Sequence, residues 1–448
     1  MKLSRFAKIK MVKDDVYAVY NTLLMKVLFI NEEEKKALLN LTVSDSARQT
    51  YLEYGILVEN EKKDSLALET VKREFETIEK EIDVLFLILS SGCILACTYC
   101  FIENSMYNNK CEQNMPIETI EVAVSKYCDY VKERNIKNPL IIFYGGEPLL
   151  NWKAIEKTIE ISKQKKVNME YSIVTNATLL DEEKVKFLVE NNVEIGISID
   201  GPKDLNDKNR IYRNSISSVY DKVTEKIKLL KKYNARFGLS ITVSQDLLDN
   251  KEKVLCWIKE YGVKDIFYNL YHFTSKEEWE KYYKEACEFL IESHLELSPY
   301  GIHDGRLQRK MESFFEETFK FADCASIGAN QLTVKPNGDL CVCQGYHKSD
   351  KYVLGNINDI DLNEINKTQE YQFWSNRAPI KNEKCLDCEA IFICGGGCAM
   401  QAEALFGKRE EIDIPFCQHT KTALDWLLLE SYNVTLENKL RIRRKTTW

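Results

Sequence analysis

Cys93, Cys97 and Cys100 stand at C-x3-C-x2-C spacing in the run Ser-Gly-Cys-Ile-Leu-Ala-Cys-Thr-Tyr-Cys-Phe, just after an apolar run at 82–89. Three thiols so placed can hold three irons of a four-iron cluster and leave the fourth open for another ligand. A dithiol redox pair or a zinc site would use the same residue type, so the rest of the chain must decide. Farther on, Tyr144-Gly-Gly-Glu-Pro148 supplies two glycines, Gly145 and Gly146, whose missing Cβ atoms let backbone approach a ligand closely. Glu147 beside them can accept from an ammonium, and Pro148 completes the run. Beyond Cys324 the thiols become dense: Gly338 and Cys343 follow, then Cys385, Cys388, Cys394 and Cys398 as C-x2-C-x5-C-x3-C, then Cys417.

Strand-like runs at 82–89, 140–144, 169–175, 194–199, 236–243 and 266–271 alternate with amphipathic runs at 118–133, 152–165, 181–190, 219–233 and 251–261. Six such alternations predict parallel strands joined by right-handed helical crossovers, an α/β sheet or partial barrel. Sites in these folds gather at the carboxyl ends of the strands. The three cysteines follow the first strand there, Gly145 to Pro148 the second, Asn176 the third, and Ser198 ends the fourth. Asn176 and Asp200 could equally be turn residues that satisfy local backbone groups.

With Tyr99 placed before the last cysteine and the Gly-Gly-Glu-Pro run one β-α unit later, the chain resembles the radical S-adenosylmethionine (SAM) enzymes. The resemblance implies a partial (β/α)6 TIM-like barrel in which an open iron chelates SAM and one electron cleaves it to a 5'-deoxyadenosyl radical. By the same resemblance, Tyr99, Gly145, Gly146, Glu147, Pro148, Asn176, Ser198 and Arg210 form the SAM site. Gly145 to Pro148 would hold its amino group, and Ser198 and Arg210 its carboxylate or ribose. The later cysteines resemble the SPASM extension, which carries two auxiliary four-iron clusters. Cys385, Cys388, Cys394 and Cys417 would then take the distal cluster, and Cys324, Cys343 and Cys398 the proximal one. Two clusters need eight thiolates and the motif supplies seven. Cys341, two residues before Cys343 and so on the same face of a strand, is the expected filler of the eighth place. If that place is open instead, a substrate cysteine could occupy it. Cys111, Cys128, Cys256 and Cys287 are expected to be packed core residues.

Residues 1–80 contain no cysteine. Short strand-like runs at 8–12, 16–20, 25–30 and 55–59 surround helices expected after the N-caps Asn31 and Ser44, with a charged helical stretch at 72–81. The pattern resembles the winged-helix-like leader-recognition domain of enzymes that modify ribosomally made peptides. A cap on the barrel is the alternative. The expected division is 1–80 for leader recognition, 81–305 for the barrel, 306–323 as a bridge and 324–448 for the SPASM region.

The implied activity is a peptide maturase with three four-iron clusters and SAM. It would abstract hydrogen from a precursor peptide and join a cysteine sulfur to carbon, as in sactipeptide and ranthipeptide maturation. A carbon-carbon cross-link is the second reading. The anaerobic sulfatase-maturing enzymes are the third; they usually place an aspartate where this chain has Gln344. Expected partners are the precursor peptide and an electron donor such as flavodoxin or ferredoxin.

Fifteen cysteines at close spacings, with no apolar signal-peptide core at the N-terminus, predict metal ligands in a reducing cytoplasm. A net charge of -7 gives no footprint for nucleic acid, apart from a short basic end at 441–445 expected to be a solvated tail. No apolar run approaches the roughly 18 residues of a membrane helix.

Overall fold

The computed structural model describes residues 1–102, 113–273 and 279–445, with side chains described as far as 436. Fifteen strands are described: β1 (Lys2–Leu3), β2 (Ala7–Lys13), β3 (Val16–Asn21), β4 (Val27–Asn31), β5 (Leu57–Val58), β6 (Val84–Ser90), β7 (Leu140–Gly145), β8 (Glu170–Thr175), β9 (Glu194–Ser198), β10 (Phe237–Val243), β11 (Asp265–Leu270), β12 (His303–Asp304), β13 (Gln331–Val334), β14 (Asp339–Cys341) and β15 (Gly355–Asn356). The six expected barrel strands are β6 to β11, all paired in parallel and in chain order.

Period-two alternation sets the two faces of this sheet. In β7, Ile141 and Phe143 are buried beneath the crossover helices, while Ile142 and Tyr144 face the lumen. The lumen faces of β8 to β11 mix small or polar side chains, Ser172, Gly196, Ser198, Ser240 and Asn269, with Val174, Thr242 and Phe267, leaving fewer branched side chains than a packed barrel interior carries. The lumen therefore stays open as a cavity of about 1660 Å³. It runs from the cysteine loop after β6 to Arg236 and Lys264 near the other ends of the strands.

The region after residue 324 does not stand apart from the barrel. β13 pairs in parallel with β6, from Gln331 opposite Val84 to Val334 opposite Leu87, and β14 and β15 extend the same sheet antiparallel. This shared edge places Cys324, before β13, and Cys343, after β14, beside the amino end of β6, while Cys93, Cys97 and Cys100 follow its carboxyl end.

In the N-terminal unit β2, β3 and β4 form an antiparallel sheet, and β1 pairs with β5. Asn31 caps helix Glu32–Leu39 through a reciprocal capping box with Glu34, and Ser44 caps Asp45–Glu53. The third helix is Glu61–Thr77, capped by Asn60, so it begins well before the expected stretch and ends before residue 81. Among the described residues, Phe6, Tyr20, Val71 and Phe75 of this unit share a core with Phe314 and Phe319 of the 306–323 segment and with Phe392 and Leu427 of the C-terminal region. Lys10 adds ion pairs to Asp425 at 2.5 Å and Glu389 at 3.2 Å.

Among the other cysteines, Cys128 and Cys287 are buried as expected, whereas Cys256 is exposed on helix Lys251–Tyr261. Leu255 and Trp257 on either side of it take the inward positions of that helix. Cys111 lies outside the described residues, as do the side chains of 441–445.

Candidate functional site

The loop carrying Cys93, Cys97 and Cys100 is held by a second segment, 209–213. Thr98 N donates to Asn209 O at 2.9 Å, Ala96 N to Ile211 O at 2.8 Å, and Arg213 N to Ile94 O at 3.1 Å. Arg213 Nε donates to Cys93 O at 2.8 Å. All three thiols line the cavity. Burial raises Cys93 to about 12, and Glu147, Cys97 and Cys100 push the same way. Buried thiols crowded together become thiolates when a cation draws off their protons, which fits a metal cluster.

Gly145 has φ +142°, and a Cβ on it would lie 2.1 Å from Ser90 O. A Cβ on Gly146 would lie 2.3 Å from Gly92 O. Glycine here is what lets the end of β7 press against the cysteine loop, where both glycines line the cavity. Gly146 N donates to Ser90 O at 2.8 Å and Glu147 N to Gly92 O at 2.9 Å.

Glu147 is placed otherwise than expected. Its side chain is 0% exposed and faces the protein: Oε1 accepts from Thr175 Oγ1 at 2.7 Å and Leu149 N at 3.0 Å, and Oε2 from Asn176 N at 2.8 Å. Burial raises its pKa to about 7, against the pull of these donors. The carboxyl ties the end of β7 to the end of β8, so an ammonium in the cavity would meet the backbone of Gly145 and Gly146 instead. Pro148 is buried at the start of a short helical turn, Pro148–Asn151.

Asn176 and Ser198 both line the cavity. Asn176 also serves as a turn residue, since its Oδ1 accepts from Thr178 N at 3.1 Å and Thr178 Oγ1 at 2.6 Å, while its Nδ2 reaches Cys93 Sγ at 3.7 Å. Arg210 lines the cavity, but its fork is already engaged: Nε and Nη2 each donate to Asp200 at 3.0 Å. Tyr99 Oη donates to the same carboxylate, and Thr242 N donates to it at 3.0 Å. Asp200 thus fixes Arg210 and Tyr99 beside the cysteine loop and is not merely a turn former.

The later cysteines separate into two groups. Cys324, Cys343 and Cys398 line the barrel cavity, and their thiols act on one another electrostatically. Cys385, Cys388, Cys394 and Cys417 form a second mutually interacting set behind them. Among the described residues no three His, Cys, Asp or Glu side chains gather tightly enough to hold one metal ion. Thiols that each bind a different iron of a cluster stand farther apart than the ligands of a single ion.

Cys341 is 1% exposed and does not line the cavity; its Sγ donates to Cys343 O at 3.5 Å, its thiol acts electrostatically on that of Cys343, and Lys335, Glu370 and Asp339 act on it in turn. β14 ends at Cys341 and the chain bends at Val342, so the two-residue alternation that would place both thiols on one face stops before Cys343.

Several cavity residues had escaped the sequence reading. Tyr271 and His272 follow β11 directly, a strand-end position that marks them. Gln401 holds this segment, accepting from Phe273 N at 3.0 Å and donating to Phe273 O at 2.8 Å. Asp413 accepts from Cys398 N at 2.8 Å, and burial raises its pKa to about 6. No local signal points to Gln401 or Asp413.

An open parallel barrel with three thiols after its first strand, a glycine cradle after its second and further thiols lining the same cavity defines an iron-sulfur enzyme that works on a ligand within the barrel. Residues 87–244 match the radical SAM superfamily and residues 324–389 the SPASM iron-sulfur cluster-binding domain. The chain belongs to the radical SAM enzymes that carry a SPASM domain.

The radical SAM cyclopropyl synthase TigE of Paramaledivibacter caminithermalis is 24% identical over 452 residues, 94% of this chain and 91% of TigE. The cysteine-type anaerobic sulfatase-maturating enzyme of Clostridium perfringens is 28% identical over 376 residues, 79% of this chain and 98% of that enzyme. Native anSMEcpe with bound AdoMet superposes with a TM-score of 0.67 at 25% identity, over 79% of this chain and 99% of that one. Streptococcus suis SuiB bound to its precursor peptide SuiA shares the fold, with a TM-score of 0.56 at 16% identity over 93% of this chain and 99% of SuiB. Among the described residues no helix is long and apolar enough to cross a membrane.

Proposed function

We propose that this enzyme is a peptide maturase that joins a cysteine sulfur to a carbon of a ribosomal precursor peptide. The observation that carries this reading is the place of Cys324, Cys343 and Cys398. They line the cavity that also holds the SAM-site residues, and Cys341 does not. Three protein thiols leave room on the cavity side for one further thiolate, and a substrate cysteine fits there. Bound SAM and its cluster would supply the 5'-deoxyadenosyl radical that removes a substrate hydrogen.

The chain's own residues orient and enclose. Cys93, Cys97 and Cys100 hold the SAM-binding cluster, and the Gly145–Gly146 backbone receives the SAM amino group. Ser198, Asn176, Tyr99 and Arg210 border the remainder of SAM. Cys385, Cys388, Cys394 and Cys417 hold the distal cluster, giving three four-iron clusters per chain. Residues 1–80 bind the leader, and a flavodoxin or ferredoxin supplies electrons in the cytoplasm. Residues 81–305 do the radical chemistry, 306–323 bridge, and 324–448 carry the auxiliary clusters.

Likeness to TigE over 94% of the chain favours carbon-carbon bond formation as a second reading, because a cyclopropyl synthase closes a carbon ring. The sulfatase-maturating reading fits less well. That enzyme matches 79% of the chain, leaving about a fifth unmatched, close to the length of the N-terminal unit.

The test is anaerobic turnover with SAM, reductant and a cysteine-bearing precursor from a neighbouring reading frame, followed by mass spectrometry after thiol alkylation. A product lighter by two hydrogens with one cysteine protected from alkylation is expected. The same mass loss with every cysteine still alkylated would establish the carbon-carbon reading instead.

A further inference from the structure

Lys310 lies where the two auxiliary cysteine groups meet. It belongs to helix Gly305–Phe315, and its side chain is 0% exposed. Its Nζ donates to Ile393 O at 3.4 Å and Thr420 Oγ1 at 3.3 Å, stands 3.8 Å from Asp323 Oδ1, and lies 4.5 Å from the centre of the Phe416 ring. Ile393 precedes Cys394, Phe416 precedes Cys417, and Asp323 precedes Cys324. One buried cation therefore touches the chain next to two thiols of the distal group and one of the proximal group.

Its nearest carboxylate, Asp323, is shared with other cations. Asp323 also faces Arg306 at 3.7 Å and is within the field of Arg309 and Lys320. Asp413, the other nearby carboxyl, accepts from the Cys398 and Phe416 amides. His419 is 0% exposed with neither ring nitrogen partnered. A buried cation such as Lys310 is costly unless anions offset it. A four-iron cluster with thiolate ligands is such an anion, and it gains one more negative charge on taking up an electron.

We propose that Lys310 is a redox-tuning residue, whose buried charge favours the reduced form of both auxiliary clusters and so raises their reduction potentials. The proposal rests on the reading that these cysteines hold clusters. Each reduction adds one electron, drawn from the oxidised substrate in turnover or from dithionite in a titration, and no bond is made or broken. The SAM-binding cluster, in the loop after β6, is the internal reference.

The experiment is a potentiometric titration of the reconstituted enzyme followed by electron paramagnetic resonance, with iron counted in every sample. Iron and signals for two clusters beyond the SAM-binding one test the cysteine reading separately. Lys310→Met keeps the stem length and removes the charge. It is expected to lower the one-electron reduction constant of the auxiliary clusters at least tenfold, about 59 mV, without moving the SAM-binding cluster, while Lys310→Arg retains the parent values. Unshifted auxiliary potentials in a fully loaded Lys310→Met enzyme overturn the proposal. Should that variant fail to hold iron, Asp323→Asn decides: loss of this anion is expected to raise the proximal potential, and no shift or a fall overturns the proposal. Failure of both variants to load iron also overturns it, in favour of a packing role.

Discussion

Removing Asp200 is expected to destabilise the barrel more than any single loss at its surface. The Asp200 and Arg210 side chains are 3% and 8% exposed and meet through two 3.0 Å hydrogen bonds. Charge centres about 4 Å apart at an effective dielectric constant near 20 attract by about 4 kcal/mol. Breaking such a buried pair from one side costs about 3–5 kcal/mol, because the remaining charge stays uncompensated. Asp200→Ala also strips Thr242 N and Tyr99 Oη of their acceptor, which loosens the end of β9 from β10. At about 2–4 °C per kcal/mol for a unit of this size, the thermal midpoint should fall by about 6–20 °C. The assay is anaerobic calorimetry of Asp200→Ala, Arg210→Met and the double variant. Each single change should cost at least about 3 kcal/mol, and the double variant should cost clearly less than their sum. Single losses below about 1 kcal/mol, or strictly additive ones, would show that solvent screens the pair and that it does not order the site.

Replacing Cys93, Cys97 and Cys100 together with Ala should remove about four irons per chain and abolish SAM cleavage, read as release of 5'-deoxyadenosine; cleavage that survives would refute the assignment. Cys341→Ala should leave the iron content unchanged, and a loss of about four irons would restore it as a ligand. Burial raises Glu147 from 4.5 to about 7, so the folded chain keeps a proton that the unfolded chain releases in this window. Stability from this group is present below pH 4.5 and is lost as pH rises through about 7. The change is on the order of 3 kcal/mol at 1.36 kcal/mol per pKa unit, and denaturant titrations across pH should show it flattened in Glu147→Gln. Phe392→Ala should cost about 3–5 kcal/mol and loosen the N-terminal unit, detected as faster proteolysis near residue 80.

The sequence alone determined the barrel strands and where the thiols crowd along the chain, because both are written in local order. Apolar alternation of period two set the strands, period 3.6 the crossover helices, and close cysteine spacing marked the loops after β6 and in the last third of the chain. The rule that sites sit at strand ends then placed Gly145, Asn176 and Ser198 beside Cys93. Orientation was a different matter, since it depends on what each side chain meets across the fold. Glu147 turned inward because Thr175 Oγ1 and the amides of Leu149 and Asn176 waited there, and Arg210 was drawn to Asp200 from a helix away. Cys341 left the face of Cys343 because the chain bends at Val342, a departure that no spacing rule registers. The tertiary structure also decided that β13 joins β6 and that the N-terminal unit shares a core with Phe392 and Leu427. Lys310 reads in sequence as one more charge on an amphipathic helix. Only the convergence of three distant segments, each next to a cysteine, shows that it is enclosed between two groups of thiols.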